Sequence, residues 1–238
     1  GKYFKAVSSQ HLFSKLNIIL SFINLEACLL NEAKRIIEHE TQEFIVQISE
    51  LGKKISVVLS WMGSRIDLRL IKPDGTIVSS SGSNYKSSFF IEKNNVVAVI
   101  DPDQIGEWKV VIYGADIPVG GEDFQLSVYT DSDFIPTTAI RNQYIPGESI
   151  PLKVYLDKKK IEQANVSMII EKNSGEKIDV SDKLSYSIIA EGDYKITTTI
   201  NGRFKNGEKF NRIVVNEFHV ALDKTNSLVL PQISMTMK

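Results

Sequence analysis

The chain has 238 residues, 42 % hydrophobic and 24 % charged, which is enough apolar content to bury a sizeable core. A net charge of −1 with a pI near 6.4 argues against a nucleic-acid binder, which carries a basic face. The single cysteine, Cys28, excludes an internal disulfide and a cysteine-based metal site. No apolar run reaches the roughly 18 to 20 residues that a membrane helix needs.

The opening segment, GKYFKAVSSQHLFSKLNIILSFI, reads as one short strand and then one helix. Ser8 or Ser9 supplies an N-cap. Leu12, Phe13, Leu16, Ile19, Leu20 and Ile23 follow at helical spacing. Ile18 and Phe22 widen the stripe until the last turns are apolar nearly all round, so this helix needs cover on more than one side. Lys2 and Lys5 before an apolar stretch ending at Cys28 imitate a lipoprotein leader, but Asn17, Asn24 and Glu26 interrupt the pattern.

From Leu29 the period becomes two. NEAKRIIEHE reads as a strand leading into a turn. Phe44, Val46 and Ile48 share one face of the next strand, and Ile55, Val57, Leu59 and Trp61 share one face of the strand after it. In RIDLRLIKPDG, Ile66, Leu68 and Leu70 point inward and Arg65, Asp67 and Arg69 outward, and Pro73-Asp74-Gly75 supplies a turn. Four more short strands follow, interrupted by the polar loop Ser79 to Ser88. Such spacing predicts an antiparallel sandwich. Asp131, Ser132, Asp133 and Pro136 then read as a linker. Beyond it, Ile150, Leu152, Val154 and Leu156 alternate, Val166, Met168 and Ile170 share a face, and about seven strands in all have the rhythm of an immunoglobulin-like sandwich. The basic run Lys158, Lys159, Lys160 reads as a solvated hairpin tip.

Chemistry-bearing motifs are sparse. His11, His39 and His219 lie in three separate segments, without a nucleophile or acidic cluster beside them, and neither a nucleophile elbow, a zinc helix nor a phosphate loop occurs. Asp101 with Asp103, and Asp131 with Asp133, sit in turn-like sequence and are too few oxygens for a calcium site. Asp67 between Arg65 and Arg69 reads as a surface ion pair. Trp61 and Trp108 fall in phase with inward residues and read as core. Tyr85 is the better candidate for an exposed contact, and Asn165-Val166-Ser167 matches a glycosylation acceptor. No catalytic, cofactor or metal residue is therefore assigned, and no enzyme activity is expected of these residues.

Gly1, Tyr3, Phe4, Ser8, Leu12, Leu16 and Ile19 resemble the last strand and helix of a von Willebrand factor A domain. The pattern Trp61-x-Gly63, then Asp67, Leu68, Leu70, Pro73, Asp74 and Gly75, then Pro102, Gly106, Trp108 and Val110, is similar to the β-sandwich that follows the A domain in several extracellular proteins. Among these are hemicentin-like proteins, the calcium-activated chloride channel regulators, and bacterial and archaeal surface proteins. The metal-binding D-x-S-x-S loop of that family would lie upstream of Gly1, and DVSDKLS at Asp179 lacks its third oxygen ligand, so no metal residue carries over.

The resemblance implies a mainly β chain of two tandem antiparallel sandwiches, jelly-roll or immunoglobulin-like, with one N-terminal α-helix. Residues 1–25 would end an A domain, 26–132 would form the first sandwich and 133–238 the second. It further implies a non-catalytic stalk or interaction role at the cell surface or outside the cell, in adhesion or protein–protein contact. The partner would be another protein or the upstream A domain, with no nucleic acid, cofactor or membrane span involved. The alternative expectation is a pair of accessory domains from a secreted hydrolase.

Overall fold

In a computed structural model of the chain, residues 26–80 and 87–222 are described. The strand and helix expected before Asn24, and Tyr85, lie outside them. Among the described residues the protein is all β, without a helix, so no helix there is long and apolar enough to cross a membrane.

The first nine strands are β1 (Ala27–Ile36), β2 (Thr41–Ile48), β3 (Ile55–Trp61), β4 (Arg65–Ile71), β5 (Ile77–Val78), β6 (Ser87–Ile91), β7 (Asn95–Ile100), β8 (Gly106–Asp116) and β9 (Glu122–Thr130). They form two antiparallel arrays, β1-β9-β3-β7-β6 and β2-β8-β4-β5. One apolar core joins both, with Phe44, Val46, Leu68, Leu70, Trp108 and Ile112 from one array and Val57, Leu59, Trp61, Ala98, Phe124 and Leu126 from the other. The alternation in the sequence produces this directly. In β4, Ile66, Leu68 and Leu70 are buried and Arg65, Asp67 and Arg69 exposed. The segment from Leu29 is strand throughout, and NEAKRIIEHE ends in a turn at His39, which takes a left-handed φ of 61°.

The Pro73-Asp74-Gly75 turn and the segment before Trp108 meet in one packed corner. Lys72 donates to Asp103 at 2.8 Å, Asp74 accepts from Gln104, and the Trp108 indole donates to the Gln104 carbonyl at 3.0 Å. Gly106 has φ 129°, and a Cβ there would stand 3.2 Å from the Pro73 ring, so both conformation and space require glycine. Asp74 is held well below the ordinary carboxylate range, at about 2, by the Thr76 amide and then by the Gln104 side chain. The Trp61-x-Gly63 turn has its own clamp: the buried Glu122 carboxylate accepts the Met62 amide at 2.8 Å and the Ser64 hydroxyl.

The remaining strands are β10 (Thr137–Thr138), β11 (Gln143–Tyr144), β12 (Ser149–Pro151), β13 (Val154–Tyr155), β14 (Ile161–Lys172), β15 (Lys177–Asp179), β16 (Ser185–Ser187), β17 (Gly192–Phe204) and β18 (Lys209–Val220). Long antiparallel ladders join β14 to β17 and β17 to β18, and β10-β13 and β12-β16 form two small pairs. The β11–β18 pairing is parallel. A second core gathers Tyr144, Ile150, Met168, Ile170, Ile196 and Phe218. The Lys158–Lys160 run forms an exposed turn.

The segment read as a linker is not an open one. Ser132 and Phe134 are each 2 % exposed, and Phe134 packs with Ile200, Phe204 and Phe210 in a third apolar cluster. The two strand systems also share a sheet, because β1 pairs β18 at Cys28 and Ile213. Local sequence gave Asp-Ser-Asp-Phe-Ile-Pro the look of a turn. The partners that bury it come from β17, β18 and the loop after β2, which no local pattern reports.

Trp108 is 3 % exposed in the middle of the first core. Trp108→Ala is expected to lower stability by about 3 to 5 kcal/mol, read as a shift in the urea midpoint, and an unchanged midpoint would exclude a core role.

Candidate functional site

Two features stand out from ordinary strand packing: a buried polar joint between the two strand systems, and a groove beside β4.

The joint is built around Arg212, which lies on β18 and is 0 % exposed. Its Nη2 donates to Glu50 at 3.0 Å and to the Ser132 hydroxyl at 3.0 Å. Its Nε donates to the Phe134 carbonyl at 3.2 Å and its Nη1 to the Asn211 carbonyl at 2.9 Å. Ser132 in turn donates to Glu50 and accepts the Phe134 amide at 3.1 Å. Glu50, Ser132 and Arg212 therefore close a ring of hydrogen bonds. The guanidinium also sits over the Phe134 and Phe204 rings, at 5.7 and 5.9 Å from their centroids. Burial pulls the Arg212 pKa down to about 10, against the opposing pull of Glu50, so the group remains a cation at neutral pH.

Cys28 marks the same joint. Its thiol donates to the Leu30 carbonyl at 3.3 Å, at a register shift of β1 against β9. Although the residue keeps some exposed surface, its thiol is desolvated, and that pushes the pKa up to about 12. Next to it the Asn211 amide donates to the Leu29 carbonyl at 3.1 Å.

The groove has a volume of about 540 Å³ and lies beside β4, with Ser79 and Ser80, just after β5, in its lining. Thr41, Asp67, Arg69, Val111 and Tyr113 line it on the outer face of the sheet, and Ile66, Leu68, Phe89, Ile91 and Val96 on the core side. Thr41 and Asp67 both stand opposite Tyr113 in the ladder. His39 reaches Tyr113 Oη at 3.1 Å, and the two rings stack. Arg65 meets Asp67 at 3.6 Å. The Arg69 guanidinium has no ion pair or hydrogen bond among the described residues.

The structure keeps the other singled-out residues apart. His219 pairs with Asp193 at 2.8 Å on an exposed strand end. Asp103 pairs with Lys72 and Asp133 with Lys53, at 2.8 and 3.2 Å. Asp179 accepts from the amide of Ser181 and from its hydroxyl, at 2.9 and 2.5 Å, and so makes a local turn. Asn165 is exposed in the middle of β14. Among the described residues, no group of three or more His, Cys, Asp or Glu is placed to hold a metal ion. Sequence reading missed Arg212 entirely. Its one signal is a charged residue in phase with inward positions, between Phe210 and Val214.

No protein-family model matches the chain, and no curated protein matches it. Among solved structures it is similar to a crystal structure of Bacillus licheniformis lipase BlEst2 in propeptide form, with a TM-score of 0.49 and 16 % sequence identity. The match covers 80 % of this chain and 43 % of that one, so the chain spans less than half of that structure's length.

Removing one member of a buried ion pair strands the other charge away from water. Glu50→Ala is therefore expected to cost about 3 kcal/mol, while the double variant Glu50→Leu with Arg212→Met recovers most of that loss. Urea unfolding of the two proteins checks this. Equal stabilities would show that Glu50 does not carry the charge of Arg212.

Proposed function

We propose that the chain is a non-catalytic pair of tandem β-sandwich modules, about residues 26–132 and 133–238, in a secreted or cell-surface protein. Residues 1–25 would close a preceding von Willebrand factor A-type domain, and the modules would hold that domain away from the surface and contact a protein partner. The observation that carries this reading is the joint. Modules in one chain move against each other by default unless their interface is large or specifically bonded. Here a buried guanidinium, a phenylalanine cluster and a shared sheet register fix the connection. A spacer that must present another domain at a set distance needs that stiffness.

The reading is tested on the native protein in intact cells. External protease treatment is expected to release peptides of this chain before the cells lyse. Full protection until lysis would contradict a surface role.

A further inference from the structure

The outer face of the first strand system is drier than its strands alone can make it. In β9, Phe124, Leu126 and Val128 point into the first core, and Gln125, Ser127 and Tyr129 alternate with them and point the other way. The layer β2-β8-β4-β5 lies on the core side. An antiparallel sheet packed on one face commonly leaves its other face to solvent. Here Gln125, Ser127 and Tyr129 are 4, 0 and 3 % exposed, and Ser60, opposite Gln125 on β3, is 3 % exposed. Tyr129 nevertheless belongs to none of the three apolar clusters of the described residues.

The strip is suited to a dry neighbour. Asn31 Oδ1 accepts from Gln125 Nε2 at 2.8 Å and from the Ser127 hydroxyl at 3.0 Å, so these polar groups bond to one another rather than to water. Asn31, Val58, Ser60, Gln125, Ser127 and Tyr129 carry no formal charge.

The N-terminal segment of the chain has the matching chemistry and reach. From Ser8 to Ile23 only His11 and Lys15 can carry a charge, and Leu12, Leu16, Ile19, Leu20 and Ile23 fall at helical spacing. Ala27, where β1 begins, pairs with Thr130, next to Tyr129 at one end of the strip. Ile23 stands four residues before Ala27, which holds it within about 14 Å of that end. A helix from Leu12 to Ile23 would be about 18 Å long, and the strip from Tyr129 to Gln125 runs for about 14 Å.

We propose that residues 12–23 seat on the outer face of β1, β9 and β3 and add a third layer to the first sandwich. This goes beyond the surface reading: the segment that would close a preceding domain is also clamped to the module that follows it.

The test uses the full chain with Val97, which stands beside Val58 on β7, replaced by the photo-cross-linker p-benzoylphenylalanine. Irradiation and peptide mass spectrometry are expected to place the cross-link within residues 12–23 of the same molecule. A cross-link to residues 223–238, to a second copy, or to nothing outside the sheet would each overturn the proposal. Hydroxyl-radical footprinting supplies a second readout. Tyr129 is expected to be protected in the unaltered chain and to lose that protection in the double variant Leu16→Asp with Leu20→Asp, while Trp108 stays protected. A Tyr129 that reacts in the unaltered chain, or that stays protected in the variant, would contradict the docking. A variant that exposes Trp108 as well has unfolded, and the cross-link, formed with residues 12–23 unchanged, then decides. The protease-release experiment tests the surface role alone, so the two readings fail separately.

Discussion

The structure depends on keeping one charge out of water. Arg212 is fully buried, and an unpaired guanidinium there would cost several kcal/mol even after relaxation. Its partners come from different parts of the chain: Glu50 after β2, Ser132 and Phe134 after β9, and its neighbour Asn211 on β18. They can satisfy the cation only when the two strand systems hold one relative position. A hydrophobic patch of the same area would tolerate sliding. A forked donor with fixed directions does not. The apolar part of the joint, Phe134 against Phe204 and Phe210 with centroids 5.3 and 5.0 Å apart, supplies the burial that makes the charge pairing so directional.

The first strand system is pinned by similar small polar clamps at its corners. Glu122 holds the β3–β4 turn, and Lys72 with Asp103 ties the β4–β5 turn to the segment before β8. These clamps fix the turns on both sides of β4.

Much of this fold was legible in the sequence. Period-two alternation located β2, β3, β4, β8 and the long strands after Ile161, and it placed Trp61 and Trp108 in the core, where both are 3 % exposed. The Pro73-Asp74-Gly75 turn was readable because Pro and Gly have backbone preferences of their own. The joint was not legible. Ser132 and Asp133 look like any polar turn, and their partners lie about eighty positions away in sequence for Arg212 and Ser132 and farther for Glu50. The groove was hidden for a related reason. Arg69 and Asp67 look alike as exposed strand residues, and only the pairing of β4 with β8 brings Tyr113 opposite Asp67.

The central claim is that the joint fixes the two strand systems as one body. Pulsed electron–electron spin resonance between nitroxide labels at Glu107, in the first system, and Lys177, in the second, measures it most directly, with Cys28 replaced by serine to leave only the two labels. A single narrow distance distribution is predicted, broadening when Glu50 is changed to alanine. A broad distribution in the otherwise unaltered chain would contradict a fixed joint.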